Sequence, residues 1–552
     1  MSYRLADLEQ LIDAKLGSPS ATDAPSSQPF EVPTAISSGN RHSTLYRLIR
    51  SLKVKGLSFE AAYAACSGTN LEKCVPPIAD RELHAYLRRA WDQPDRDGFK
   101  PHVLSEDPYK MTELGDAEYF AAVNADIVRY DHRRGIWLLF TGHRWTPQTH
   151  GQVARLAFAA MRARQSNAFN VVDDDKRRAA VRWTMSGESR ARLVSLLALA
   201  QNLIPIADAG DQWDKDAWLL GVQNGVIDLK TGTLRDGIPE DRITKCCNVE
   251  FDPLAKCRVY DETLAQIFED SEMRDYWHRF TGYSITGDCR EEVFAICWGE
   301  GGNGKGTLIN TIAWTLGDYA DDLPFSSLEL QDRSSIPTDL AKIDGKRFVT
   351  ASETSASRRL NEARIKALTG RDQITARFMH KDFFTFTPVA KFWLSTNPKP
   401  KVVETTNGFW RRVHMIPFEK TFNPPNLELK DQLKLESAGI LVRLVEGCLA
   451  WQARGLQKPA AVLAATEAYR DESTPLTEFI EERCITGSNC HSSFGELFAA
   501  YQNWCGDTRD RRMSRTQFSV ALHARYKTDP SEKRNVVFVG IGLLAGGDRG
   551  QM

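Results

Sequence analysis

Along residues 2 to 16, Leu5, Leu8, Ile12 and Leu16 recur at helical spacing, and the stretch "GSPSATDAPSSQP" that follows has no period at all. A short helix on a small, polar, proline-broken tether is expected there. From Asn40 to about Gln93, "HSTLYRLIRSLKVKGLSFEAAYAAC" and "DRELHAYLRRAWDQ" carry helical spacing, with Ser58 and Asp80 placed as N-caps. They predict a small helical module. Residues 112 to 205 mix strand-like "GIWLLFTGHRWTP" with long helical patterns such as "HGQVARLAFAAMRARQ" and "ESRARLVSLLALAQ". Short strands joined by Asn-Gly and Lys-Thr-Gly turns follow in "WLLGVQNGVIDLKTGTL". Between Val293 and Phe418 the apolar runs "VFAIC", "RFVTAS", "VAKFWLST" and "VHMIPF" alternate with helical stretches, the order expected of an α/β core. Beyond it, "AGILVRLVEGCLAWQARGL" continues as helix. "FGELFAAYQNWC", "SRTQFSVALHARY" and "RNVVFVGIGLL" then predict helix, helix and strand, with basic residues on the second helix and before the strand, as in a winged helix-turn-helix.

Composition narrows the class. A chain of 552 residues with 42% hydrophobic content is expected to hold three or four domains at about 150 residues each. The 71 lysines and arginines nearly cancel 72 acidic residues, so a nucleic-acid surface has to be a local patch or an internal channel. Eleven cysteines occur without a CxxC pair and read as reduced thiols of a cytosolic protein. Cys484, Cys490, His491 and Cys505 match none of the usual zinc spacings. The charged start "MSYRLADLEQ" and the lack of any apolar run near ~18 residues predict neither secretion nor a membrane span.

The densest chemistry opens at "CWGEGGNGKGTLIN", a strand, a glycine loop and a lysine heading a helix. Gly299, Gly304 and Lys305 fit G-x-x-x-x-G-K, and with Gly301, Gly302, Asn303, Gly306 and Thr307 they form a candidate cradle for the phosphates of a nucleoside triphosphate. The hydroxyl residue that normally follows the lysine as a magnesium ligand is replaced by Gly306, with Thr307 one place late. "KRFVTASET" ends a strand in Glu353, an acid able to polarise an attacking water and help hold magnesium. Asn397 follows another strand, at the tip where it would meet the γ-phosphate or the water. Two extended segments flank Met379-His380-Lys381, and Arg411 and Arg412 precede a further strand, placed to project from a subunit edge.

The order GEGGNGKGT, ASET, GRDQITARFMHKDF, LSTN and WRR resembles the superfamily 3 helicases, specifically the phage and plasmid primase-helicases related to the poxvirus enzyme. "NGVIDLKTGTLR" and "FTGYSITGD" resemble the domain preceding that ATPase, so the likeness runs from Asp116 to Leu544, and residues 40–95 resemble a small helical domain found beside primase modules. The resemblance implies a ring, usually hexameric, with ATP and Mg2+ between subunits and a β-hairpin from each subunit lining a pore. It makes Lys305 the phosphate-loop lysine, Glu353 the second-strand acid, Thr307 and Glu353 the magnesium contacts, Asn397 the sensor, and Arg411 or Arg412 a finger acting on the neighbour. Arg377, His380 and Lys381 fall on the hairpin, and Arg515, Arg525, Lys533 and Arg534 on the terminal module's expected duplex-binding face.

The implied architecture is multidomain α/β. A short helix and linker (1–39) precede the helical module (40–95), a mixed α/β domain (112–290), the ATPase core (291–455) and a winged-helix domain (475–552). The implied function is an ATP-dependent replicative helicase moving 3′ to 5′, serving a phage, prophage or plasmid in the bacterial cytoplasm. Its partners would be single-stranded and forked DNA, further copies of itself, and a separate primase or initiator. Asp95-Arg96-Asp97 and Asp214-Lys215-Asp216, Asp-x-Asp pairs of the kind primase chemistry uses, sit in polar surroundings, so the primase catalytic domain is expected to be missing. Rival readings are an origin-binding ATPase that assembles on DNA without unwinding, and a primase with divergent carboxylates.

Overall fold

The structure, a computed structural model, describes residues 36–37, 41–54, 57–92, 107–330, 339–353, 359–377, 383–402, 407–473, 475–508, 513–529 and 536–544. The helix expected over residues 2 to 16 and its tether, Asp95-Arg96-Asp97, His380, Lys381, Lys533 and Arg534 lie outside the described residues.

The centre is a five-stranded sheet built from β1 (Phe294–Trp298), β2 (Ala320–Pro324), β3 (Phe348–Glu353), β4 (Lys391–Thr396) and β5 (Val413–Pro417), in the spatial order β2-β3-β4-β1-β5. Every pairing is parallel. A parallel sheet needs both faces covered, and its strands accordingly read as nearly continuous apolar runs. Alternation sorts them: Ala295, Cys297, Phe348, Trp393 and Ile416 enter one buried cluster, while Phe294, Ile296, Val349, Leu394 and Met415 enter the other. On the first face lie α1 (Lys305–Leu316) and the helices Arg258–Ile267, Ser271–Ser284 and Ser437–Arg454. The second carries the helix Glu362–Thr369, the hairpin strands Ile374–Arg377 and Phe383–Phe386, and Tyr469 from the helix Ala460–Glu472.

This packing corrects the expected boundary at residues 290 and 291. Leu220, Ile227, Tyr260, Trp277 and Tyr283 share one hydrophobic cluster with Ala295 of β1, Ile312 of α1 and Leu444, so the segment from about residue 219 onward packs into the same core. The join is tightest where two glycines face each other. A Cβ on Gly282 would lie 2.1 Å from the backbone nitrogen of Cys448, and one on Gly447 would lie 2.0 Å from the carbonyl oxygen of His278.

Around this body, among the described residues, stand four further clusters, the smallest of them Leu138, Trp145 and Trp213. The helices Arg41–Val54, Phe59–Lys73 and Asp80–Asp92 enclose Leu45, Ile49, Cys66, Leu83 and Leu87. Ser58 caps the second of them, its hydroxyl accepting from the Ala61 N–H at 3.3 Å; Asp80 is the first helical residue and its carboxylate accepts from the Tyr63 hydroxyl. Arg41 of this module is buried against Asp252, Nη2 to Oδ2 3.0 Å. A second cluster joins the helices Glu113–Val123, Gln152–Phe169 and Arg190–Ala200 to the strands Val128–Asp131 and Ile136–Phe140. The third lies between residues 475 and 543, where the helices Pro475–Arg483, Phe494–Thr508 and Arg515–Arg525 pack on a three-stranded antiparallel sheet. Its first strand, Cys484–Ser493, is polar and was not foreseen. All eleven cysteines are free thiols, and among the described residues no helix is long and apolar enough to cross a membrane.

Because the atoms facing Gly447 are backbone and cannot move aside, Gly447→Ala is expected to cost about 3 kcal/mol or more through overpacking. Chemical unfolding measures it; an unchanged midpoint would mean that these helices stand further apart.

Candidate nucleotide site at the carboxyl end of the sheet

Sheet register assembles the site. Thr396, the last residue of β4, pairs with Glu353 on one side and Trp298 on the other, and Trp298 pairs with Pro417. Four strand ends therefore form one row, and at about 4.8 Å per strand the acid stands roughly 10 Å from the start of the glycine loop. Gly299 and Asn397 follow directly. Lys305, at the head of α1 and 4% exposed, closes the gap. Its ammonium donates to the carbonyls of Gly299 and Glu300 and, at 3.0 Å, to Asn397 Oδ1. Three uncharged oxygens hold it, and burial lowers its pKa from the ordinary lysine value. Glu353 is 6% exposed at the tip of β3.

The glycines divide into two kinds. Gly304 has a φ of +82°, which glycine adopts without penalty, and a Cβ there would meet Ile267 Cδ1 at 2.7 Å. At Gly299 a Cβ would lie 2.1 Å from the Phe418 carbonyl oxygen. At these two positions what a methyl group would meet is the chain itself. Gly301 and Gly306 are different: a Cβ on either would meet nothing within 4 Å, so the loop is open on that side. Asn303 does not face the opening. It is buried, donating to the Phe418 carbonyl at 3.0 Å, and so ties the loop to the end of β5. Gly302 accepts from the Phe422 N–H at 2.9 Å. The first N–H groups of α1 point past the helix end, as anion-binding helix termini do, with Thr307 half-buried beside them.

The two arginines lie elsewhere. The Phe294 N–H donates to the Arg412 carbonyl, so both precede β5 at the amino end of the sheet, about 16 Å along the strands from Gly299. Both guanidinium groups reach Glu292 Oε2, Arg411 at 2.7 Å and Arg412 at 2.8 Å. Glu292, which the sequence reading passed over, holds a φ of +50°, an uncommon conformation for a residue with a side chain. Its only sequence signal is the acid pair opening "EEVFAIC". The arginines differ in burial: the Arg411 side chain is 63% exposed, that of Arg412 10%, and Arg412 also donates to the Gly408 carbonyl.

Of the candidate DNA contacts, Arg377 ends the first hairpin strand and its guanidinium lies 5.2 Å from the centre of the Phe383 ring. Arg515 is exposed and stacks over Phe494 and Phe498. Arg525 departs from its expected role: its terminal nitrogens are engaged at 2.8 Å by the Asp471 carbonyl and Thr477 Oγ1, where the terminal module meets the preceding helix. Asp214 is spent internally, accepting from the Thr244 and Lys245 N–H groups and from the Lys245 ammonium.

Two family models match parts of the chain. A family described as "D5 N terminal like" matches residues 117–269, and a family of unknown function, DUF5906, matches 297–412. The chain is 29% identical over 318 residues to the candidate helicase L207/L206 of Acanthamoeba polyphaga mimivirus, covering 52% of this chain and 33% of that one. It is 25% identical over 332 residues to the candidate helicase 184R of Invertebrate iridescent virus 6, covering 52% and 34%. A candidate primase of African swine fever virus, C962R, is 25% identical over 322 residues, covering 53% and 33%. The chain thus spans about a third of the length of the curated relatives it matches. Among solved structures, the apo C-terminal region of NrS-1 aligns over 80% of this chain and all of its own, at 11% identity and a TM-score of 0.40. The two domain matches and these viral relatives bear out the resemblance to the primase-helicases.

The burial difference sets a test. Arg412→Ala removes a buried guanidinium from Glu292 and is expected to cost about 1–3 kcal/mol, whereas exposed Arg411→Ala should stay within about 0.5 kcal/mol. Thermal unfolding of the two variants compares them, and equal midpoints would remove the distinction.

Proposed function

We propose that the chain is an ATP-dependent DNA helicase of the primase-helicase kind, acting as a ring, with a hexamer as the expected assembly. The observation that carries this reading is the bridge from Lys305 to Asn397, with Glu353 beside it in register. A glycine loop open at Gly301 and Gly306, a buried lysine and a helix N-terminus fit a triphosphate, and Thr307 with Glu353 would hold its magnesium ion. Bound ATP supplies the phosphoryl group whose transfer to water drives the motor.

The chain's own groups divide the work. Lys305 neutralises charge at the β/γ oxygens, exchanging carbonyl partners for phosphate. Glu353 orients and deprotonates the attacking water, and burial at a strand tip limits the directions in which its carboxylate can point. Asn397 joins the lysine to the same point. Arg411 lies too far along the sheet to serve its own loop and is exposed, which suits a finger reaching the neighbouring subunit; Arg412 instead holds the turn. The helix, strand, helix, helix, strand, strand order of residues 475–543 supports reading this module as a winged helix, on which Arg515 would meet duplex DNA. His380 and Lys381 are proposed at the tip of the pore hairpin, Lys533 and Arg534 at the wing, and translocation runs 3′ to 5′. The replicon is a phage, prophage or plasmid or, as for the relatives, a large DNA virus, and a separate primase or initiator is a proposed partner.

Displacement of a labelled strand from forked DNA with ATP tests the reading. Lys305→Ala should abolish turnover and displacement, and Glu353→Gln should keep ATP binding while losing hydrolysis. Mixing Lys305→Ala with Arg411→Ala subunits should partly restore ATPase, because some interfaces then pair an intact loop with an intact arginine, which is worth about 10³ or more in rate. ATP-dependent rings on DNA without displacement would overturn the helicase assignment. Mixed rings that never recover would overturn the shared site.

A further inference from the structure

The hairpin formed by Ile374–Arg377 and Phe383–Phe386 has two unlike faces. Alternation sends Ile374, Ala376, Phe384 and Phe386 inward, where Ala376 and Phe386 are buried in the core cluster and the other two pack against it. This face is also clamped from outside. The Arg133 guanidinium lies 4.3 Å from the Phe384 ring centre and pairs with Asp344 at 3.1 Å. The outward face carries the cross-strand pairs Thr375 with Thr385 and Arg377 with Phe383. Three of these four residues are polar, as an outward face requires. Phe383 breaks the pattern, with 55% of its surface exposed.

An exposed phenyl ring beside a guanidinium is a poor protein interface, because a stable one needs about 1,000 Å² of complementary surface and this face adds only two threonines. It is well suited to a nucleobase, which stacks on any aromatic face while a cation meets the adjoining phosphate. Cross-strand pairing places Arg377 against Phe383, and the clamp on Phe384 keeps the hairpin from turning that ring inward. We propose that Phe383 and Arg377 form a stacking platform for one base of single-stranded DNA. This rests on the helicase reading and adds to it a contact with the base itself, separate from any phosphate contact at the hairpin tip.

Fluorescence anisotropy with the full chain tests this, using a labelled oligothymidylate and an abasic strand of equal length as probes. Phe383→Ala should weaken oligothymidylate binding about ten-fold and leave abasic binding unchanged. Phe383→Leu, which keeps apolar volume without the ring, should behave like alanine, and Phe383→Tyr like the parent. Arg377→Ala should weaken both probes and lower the salt slope by about one. Equal affinity of Phe383→Ala and the parent for oligothymidylate would overturn the platform while leaving the helicase reading standing. Equal losses on both strands, or altered sedimentation of the assembly, would overturn it in favour of a structural or subunit-contact role. A parent protein that binds neither strand would sink both readings together.

Discussion

Parallel register is the constraint on which the rest depends. Because β1, β3 and β4 run the same way and are paired residue for residue, their last residues end in one row, and whatever follows each strand is delivered to the same edge. The glycine loop, the acid and the asparagine come from segments as far apart in sequence as residues 299, 353 and 397, yet no loop has to travel to bring them together. Slipping one pairing by a single residue would turn Glu353 to the opposite face of the sheet. The apolar clusters on both faces resist such a slip, so the site's geometry is held by Trp393 and Phe348 as much as by its polar groups.

The same edge explains why a lysine can be buried without a carboxylate. An ammonium removed from water requires oxygen partners, and the loop supplies two of its own carbonyls while β4 supplies a third oxygen through Asn397. Such partners are weaker than an anion, so the lysine's charge is solvated by dipoles and not neutralised by them. A carboxylate in their place would neutralise the lysine directly. At the other end of the sheet the logic is reversed, since Glu292 gathers two guanidinium groups and holds one inward and one outward.

The terminal modules follow from ordinary patterning, and that patterning also marks where function intrudes. Helical spacing is clean from residue 41 to 92, and the three helices there enclose their own core. The polar strand Cys484–Ser493 escaped notice because only its two ends pair with the neighbouring strand through residue 543, leaving a bulged middle with no apolar alternation to read. Phe383 was legible as an aromatic in an extended segment, but whether it faced core or solvent depended on which residue of the partner strand lay opposite.

What the amino-acid sequence determined by itself was the set of local chemistries: a glycine loop headed by Lys305, strands ending at Glu353 and just before Asn397, and a pair of arginines ahead of a further strand. These are carried by residue type and short spacing, so a single chain displays them. Tertiary structure alone decided which partners those residues have. Gly299 is required by the backbone of Phe418, more than a hundred residues away, and Gly304 by its φ of +82°. Arg411 and Arg412, adjacent and chemically identical, separate into an exposed and a buried group because neighbouring residues leave the chain in different directions and only one of those directions leads into the core. The core likewise claimed residues 219 to 290, since what decides membership is the face a helix buries, and Gly282 meets Gly447 across a contact that no local spacing encodes.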